Sequence, residues 1–396
     1  MSRDTTWPVT STRVKTEPVS ELAALRREVQ ARAWAVPRML PAAAYTSAEV
    51  LAWERRHLFA GTWTCLGRLE ELLGGESTQR AVVVGDVPAL LVRDGDTVRG
   101  FANTCRHRGH ELLAEGETTA RRSISCPYHA WTYRLDGVLQ AAPGFREQEG
   151  FELSSHALVE LPVAVWAGWV FGHGLHPVDH PDAPSFADHL GGLGGIVERY
   201  TPADLVLSDR HTYEIAANWK VVAENYHECY HCPLIHPELC QISPPTSGDN
   251  YDLPGLWVGG AMHLRDGMTT MSLTGESGGL PIPGAPTDRV EYLHLLPNLL
   301  VSAHPDYVMA HRLVPLAPDR TWIECSWYLS AAADGTVPDP AYAVEFWDLT
   351  NRQDWTACES VQRGLASPHF VPGPFAPNED AVARFVGLVS RAYGVG

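Results

Sequence analysis

Cys105-Arg106-His107, eighteen intervening residues, and then Cys126-Pro127-Tyr128-His129 decide the reading of this 396-residue chain. Each half pairs one cysteine with one histidine, first as C-x-H and then as C-x-x-H. A Rieske [2Fe–2S] centre needs that donor set. Two thiolates hold one iron, two neutral imidazoles hold the other, and the imidazoles raise the potential. A structural zinc site made from the same residue types usually groups its cysteines in one half and its histidines in the other. An isolated C-x-H arises easily by chance, and Cys229-Tyr230-His231 is a second one, but only the first is followed by C-x-x-H. The expected cluster ligands are therefore Cys105, His107, Cys126 and His129.

The flanking residues suit ligands carried on loop tips. Leu91–Val98 reads as strand, turn and strand with Asp94-Gly95 at the turn, and Trp131–Val138 reads the same way around Asp136-Gly137. Gly109 and Pro127 fit either a close approach of backbone N–H groups to cluster sulfurs or ordinary turn chemistry.

Composition narrows the class. The chain is 45% hydrophobic, enough for one large domain or two ordinary ones, and its net charge of −17 argues against nucleic acid and anionic membranes as partners. No apolar run approaches the ~18 residues of a membrane span. The first twenty residues carry Arg3, Asp4, Arg13 and Lys15 without an apolar stretch, so they read as a mobile arm and not a secretory signal. Scattered cysteines, two of them required as thiolates, suit a reducing cytoplasm.

Three segments emerge: an arm and helix over 1–40, a cluster domain over 41–172, and a catalytic domain over 173–396. Ser20 caps an expected helix to Ala35, stopped by Val36-Pro37, and Ser47 caps a second over 46–60. From Trp63 short β-rich runs continue to Val163–Gly172, followed by a His/Pro/Asp-rich linker at 173–188. Beyond it come a strand at Leu205–Ile215, a helix from Trp219, a long Gly/Pro/Ser/Thr-rich segment at 241–289 expected to form the mobile mouth of a pocket, strands over Val290–Leu329, and a helix over Pro340–Leu365. The Gly191–Gly195 run has Val197 where a dinucleotide loop needs its third glycine, so it reads as a turn. The chain therefore reads as lacking a flavin or nicotinamide domain of its own.

A second constellation lies in Asn218–Pro237, NWKVVAENYHECYHCPLIHP. On a helix Glu228 and His231 share a face, and Pro233 breaks the helix so that a loop returns His236. Two histidines and a distant carboxylate make the facial triad of non-haem Fe(II) oxygenases. Cys229-x-x-Cys232 also reads as a zinc or redox pair, and the histidines as surface groups. The upstream cluster favours iron, because a one-electron carrier needs a site to serve.

With both constellations in hand, the chain resembles the catalytic α subunit of the Rieske non-haem iron (ring-hydroxylating) oxygenases along nearly its whole length. The resemblance implies an α+β protein: an all-β Rieske domain plus a helix-grip domain of antiparallel sheet and helices. It implies His231 and His236 as ligands of a mononuclear Fe(II) and a carboxylate from the downstream helix as the third. Asp354, in Asp354–Gln362, matches best, with Asp348 and Glu359 as rivals. It implies head-to-tail homotrimers, with Glu228 linking His231 to His129 of the next subunit, and Asn225 as a further polar group near iron. It implies O2, two external electrons and an NAD(P)H-dependent reductase, with or without a ferredoxin.

Glu228-Cys229-Tyr230-His231-Cys232 resembles the branch acting on small quaternary ammonium compounds such as glycine betaine, carnitine and stachydrine, which implies hydroxylation or N-demethylation. An aromatic-ring substrate, or a non-catalytic electron-transfer and ligand-binding protein, are the alternatives. Trp257, Tyr292, Tyr307, Trp322 and Trp327 are available for a cation-binding pocket or for the core.

Overall fold

The computed structural model describes residues 20–31, 36–175 and 184–394. The expected N-terminal arm, the end of the first helix and half of the linker lie outside them. Helix α1 (Glu21–Ala31) starts at Ser20, whose hydroxyl accepts the Ala23 N–H. Helices α2 (Ala43–Thr46) and α3 (Ala48–Glu54) follow, and α3 begins where Ser47 Oγ accepts the Val50 N–H. A π-helical turn, Arg55–Phe59, extends it. The apolar faces of α2 and α3 (Ala44, Tyr45, Val50, Leu51) pack with Trp219, Val222 and Phe385 of the downstream half. The all-β part of the cluster region thus starts after them, at Thr64.

That part holds eleven strands: β1 (Thr64–Arg68), β2 (Thr78–Val84), β3 (Val87–Asp94), β4 (Thr97–Ala102), β5 (Thr118–Ala120), β6 (Ile124–Ser125), β7 (Thr132–Tyr133), β8 (Leu139–Ala141), β9 (Glu160–Leu161), β10 (Val163–Trp166) and β11 (Trp169–Gly172). They form a five-stranded sheet in the order β5-β2-β3-β4-β9 and two small sheets, β6-β7-β8 and β1-β11-β10. Both expected hairpins are present, β3–β4 and β7–β8.

The downstream half is one seven-stranded antiparallel sheet. Its strands are β12 (Val206–Ile215), β13 (Gly248–Asn250), β14 (Trp257–His263), β15 (Arg289–Leu295), β16 (Leu299–Ala303), β17 (Tyr307–Ala317) and β18 (Arg320–Leu329), ordered β12-β18-β17-β16-β15-β14-β13. Strands β13 and β14 lie within the 241–289 segment, where the sequence reading placed no strand. Gly259 and Gly260 hide β14 from propensity, yet a Cβ there would sit 2.2 Å from the Tyr292 carbonyl or 2.3 Å from the Asp249 carbonyl.

One sheet face carries helices α4 (Trp219–Tyr226), α5 (Ala341–Leu365) and α6 (Asp380–Gly394), the last of which the sequence reading did not name. Val258, Leu300, Leu313 and Ile323 face them. The other face, through Leu293, Leu299, Val301 and Tyr328, packs on Trp63, Trp169 and Phe171 of the cluster region. Covering both faces fixes the register of each central strand, since a one-residue slip would exchange the two cores.

A buried polar knot ties the ends of the chain to the site-bearing helix. Glu54 in α3 accepts from Lys220 Nζ (2.6 Å), Trp219 Nε1 (2.8 Å) and the Tyr393 hydroxyl. Glu54→Ala strands a buried ammonium, and is expected to destabilise the fold by about 3–5 kcal/mol in urea unfolding. Next to it, Tyr45 donates 2.7 Å to Glu224, whose carboxyl burial pushes up from 4.5 to about 7. A raised acid stabilises the fold below its unfolded value, and that contribution disappears as pH climbs through the folded value. The wild type should therefore lose about 3 kcal/mol between pH 4.5 and pH 7 from this group, and Glu224→Gln should flatten that slope in urea titrations across the window.

Two candidate metal centres and a cavity

The cluster motif folds into two matching loops. After β4, Cys105 N–H donates to the His110 carbonyl (2.8 Å) and Gly109 N–H to the Cys105 carbonyl (3.0 Å). After β6, Cys126 N–H donates to Trp131 and Ala130 N–H to Cys126, at 2.8 and 3.1 Å. The equivalent fourth positions, Gly109 and Ala130, both have positive φ, 73° and 57°. Gly109 thus serves turn geometry. Asn103 braces the first loop, accepting from Leu112 and Leu113 and donating to the Leu113 carbonyl.

Cys105 and Cys126 are buried and neighbour each other, while His107 and His129 are half-buried with ring centroids 4.7 Å apart. His107 stacks on Trp131 at 4.9 Å, and His129 Nδ1 is buried without a hydrogen-bond partner. Two facing thiols and an orphaned imidazole nitrogen fit a cluster with thiolates inward and imidazoles outward. Tyr133, which the sequence reading passed over, accepts the Arg106 N–H and sits 3.3 Å from Cys105 Sγ. An O–H donor on a cluster thiolate favours the reduced, more negative state.

The second constellation lies under the sheet. Helix α4 ends at Tyr226, so Glu228 and His231 sit in the following turn and not on a shared helix face. Glu228 still meets His231: Oε1 is 2.5 Å from Nδ1, and Oε2 accepts the N–H groups of Tyr230 and His231. Pro233 opens a short helical turn, Cys232–Ile235, in place of breaking a helix, and His236 stands at its end. A Cys229–Cys232 disulfide closes the same turn.

His236 Nδ1 lies 2.7 Å from Gln353 Oε1. With protons on Nδ1 facing Glu228 and Gln353, both histidines present bare Nε2 atoms to each other at 3.2 Å. Asp354 Oδ1 is 2.8 Å from one and 3.4 Å from the other. Three converging acceptors need a cation between them, and the donor set is the two-histidine, one-carboxylate face suited to iron(II). The charges agree. Burial alone would lower His231, but Asp354 and Glu228 raise it to about 9. The rivals are engaged elsewhere: Asp348 with His211, Tyr213 and Arg352, and Glu359 with the Ala216 N–H. Gln353 is a residue the sequence did not single out. Gln353→Ala should release the His236 ring and weaken iron binding about 10- to 100-fold in a chelator competition.

The three donor atoms open into a cavity of about 280 Å³. Tyr226, Tyr292, Trp347 and Trp355 wall it, and Asn225 lines it. Of the aromatics expected from sequence only Tyr292 does so. Trp257, Tyr307 and Trp327 are core, and Trp322 stacks outside on Arg312. Trp347, Asn351, Asp354 and Trp355 recur at helical spacing on α5, the signal that could have found them. A larger cleft of about 580 Å³ lies where the cluster region meets the sheet, but it contains none of the donor atoms.

Family models describe both halves: a Rieske [2Fe-2S] domain at residues 62–158 and a ring-hydroxylating α subunit catalytic domain at 202–394. The glycine betaine monooxygenase oxygenase subunit of Chromohalobacter salexigens is 30% identical over 373 residues, covering 85% of this chain and 81% of the relative.

The chain belongs to the Rieske non-haem iron oxygenases.

This oxygenase is also 39% identical, over 201 residues, to the carnitine monooxygenase oxygenase subunit of Escherichia coli K12, covering 50% of this chain and 52% of the relative. A solved quaternary ammonium Rieske monooxygenase, bound to an inhibitor, superposes with a TM-score of 0.73 at 26% identity, covering 90% of this chain and 96% of that one. Naphthalene 1,2-dioxygenase from Rhodococcus shares the fold, with a TM-score of 0.69 at 20% identity over 94% and 97% of the two chains. The oxygenase uses a Rieske cluster and a mononuclear iron. Among the described residues no helix is long and apolar enough to cross a membrane.

Proposed function

We propose that the oxygenase acts on a small N-methylated or quaternary ammonium compound, hydroxylating a carbon beside nitrogen so that an N-methyl group leaves as formaldehyde. One observation carries this reading: the cavity beside the three converging donors is small and walled by four aromatic rings. A cation that sheds its water over such rings gains about 2 kcal/mol. The names of the relatives support the same substrate class, as do two solved neighbours, one bound to L-carnitine and one to gamma-butyrobetaine.

Cys105, His107, Cys126 and His129 would hold the cluster, and His231, His236 and Asp354 the iron. When bound, these groups supply electron delivery and O2 activation. The chain's own residues do the rest. Glu228 and Gln353 keep the Nδ1 protons in place and so leave each Nε2 free. Tyr226, Tyr292, Trp347 and Trp355 orient the ammonium head. Asn225 offers a neutral hydrogen-bonding group.

Glu228 is also assigned the link to His129 of a neighbouring subunit in a head-to-tail trimer. Exposed apolar side chains flank both partners: Tyr128 beside the cluster histidine, and Tyr230 and Leu234 beside Glu228. Such residues suit burial between subunits. A separate NAD(P)H-dependent reductase, with or without a ferredoxin, completes the proposed chain.

The test is a substrate panel with a surrogate reductase. Trimethylammonium compounds should stimulate NADH oxidation and release formaldehyde. Stimulation by indole or naphthalene alone would reject the reading.

A further inference from the structure

Cys229 and Cys232 belong neither to the metal faces nor to the aromatic walls, yet both line the cavity. Their Cα atoms are 4.9 Å apart, within disulfide reach, and the bond is formed. Cys232 Sγ lies 4.0 Å from His231 Nε2, the nitrogen turned toward the other donors. Cys232 is 3% exposed, and Cys229 is half-buried. None of the other six cysteines is disulfide-bonded. A bridge that closes so short a turn removes little entropy from the unfolded chain, so stability does not account for it. A single bridge among free thiols is the pattern of a transient, redox-active bond and not of a disulfide framework.

We infer that Cys232 and Cys229 are a peroxide-consuming pair inside the oxygenase cavity: Cys232 takes an oxygen atom from hydrogen peroxide, and Cys229 then closes the disulfide. The inference goes beyond the substrate reading and needs only the oxygenase class. An oxygenase brings O2 and reducing equivalents to this cavity. O2 that takes up two electrons and two protons without reaching substrate leaves as hydrogen peroxide. The Cys232 sulfur stands next to the donor atoms where that peroxide is released. In the first step this sulfur attacks one peroxide oxygen and the O–O bond breaks. Hydroxide leaves with the thiol proton as water, and Cys232 becomes a sulfenic acid. In the second step the Cys229 sulfur attacks the Cys232 sulfur and the S–O bond breaks. A second water carries away the Cys229 proton. The balance is two thiols and one hydrogen peroxide to one disulfide and two waters. Met262 and Met309 also line the cavity, but a thioether stops at the sulfoxide because nothing displaces its oxygen. Burial selects the oxidant. Exchange with a peptide disulfide needs open access to a sulfur, which Cys232 does not offer, whereas hydrogen peroxide is little larger than water.

The test uses the iron-loaded oxygenase with its cluster intact. It is reduced with a phosphine, freed of the phosphine, and given equimolar hydrogen peroxide. Remaining thiols are alkylated at intervals and mapped by mass spectrometry. Cys229 and Cys232 should lose alkylation together, at least about tenfold faster than Cys240, a half-buried cysteine outside the cavity lining. Fresh phosphine should restore both. Oxidised glutathione at the same concentration should leave the pair open. In Cys229→Ser the Cys232 sulfenic acid has no partner and should advance to a sulfinic acid that phosphine does not reverse. In Cys232→Ser, Cys229 should lose alkylation no faster than Cys240. Four results would overturn the inference: a bridge that phosphine cannot open in the folded protein, closure no faster than the loss of Cys240, sulfoxide at Met262 or Met309 ahead of closure, or equal closure by oxidised glutathione. Cys232 remaining a thiol in peroxide-treated Cys229→Ser would overturn its assignment as the attacking sulfur. Each of these leaves the ammonium reading intact, because no substrate is present.

Discussion

Asp354→Ala should leave the visible absorption and EPR signal of the cluster intact, remove the mononuclear iron, and lower turnover by more than about 100-fold. The magnitude follows from comparison, since loss of a group that only orients a ligand already costs 10- to 100-fold. The direction follows from geometry. Asp354 Oδ1 is the anionic member of the three-atom face, 2.8 Å from His236 Nε2. Without it two neutral imidazoles remain, too few for tight iron binding. Both imidazoles also hold the Asp354 carboxyl below the usual carboxylate range against the opposing effect of burial. His231→Ala and His236→Ala should behave alike. Metal analysis checks the claim: about three irons per chain in the wild type and about two in each variant. Full iron and activity in Asp354→Ala would place the third ligand elsewhere.

Glu228→Gln separates the link between centres from the centres themselves. Glutamine keeps one oxygen to accept the His231 Nδ1 proton, so iron supplied in excess should still bind. It loses the negative charge that offsets positive charge on the imidazole. It also cannot accept from the Tyr230 and His231 N–H groups with its amide nitrogen, as Oε2 of glutamate does. Reoxidation of the reduced cluster after rapid mixing with O2 and substrate should slow by about tenfold or more. Subunit mixing provides the companion result. A chain carrying Cys105→Ser combined with one carrying His231→Ala should regain activity if the cluster of one subunit serves the iron of the next. Unchanged reoxidation in Glu228→Gln would remove its bridging role, and no recovery on mixing would remove the inter-subunit route.

The candidate donors were more legible in the sequence than the walls. Cys105, His107, Cys126 and His129, the proposed cluster ligands, stand in two short motifs because each loop would have to return its pair within one turn, a local requirement that local spacing records. Asp354 was reached through resemblance, being more than a hundred residues from His236 in the chain. Gln353 and Tyr133 were missed because a single orienting side chain leaves no motif. Strand β14 was not recognised because the contacts that demand Gly259 and Gly260 come from β13 and β15, which no local window contains. The helical Glu228–His231 pair was misplaced for a related reason. Contact at i and i+3 also arises in a turn, and here the carboxylate builds that turn by accepting two backbone N–H groups. The four aromatic walls come from α4, α5 and β15, so only their assembly identifies them.

The most direct test of the whole account is a single-turnover experiment. The cluster is reduced chemically, excess reductant is removed, and the protein is mixed rapidly with O2, alone or with choline, glycine betaine or carnitine. The account predicts that at least one of these ammonium compounds accelerates the return of the oxidised-cluster absorption and that formaldehyde appears in the same mixture. Reoxidation at the same rate with and without every one of them, and no formaldehyde, would contradict it.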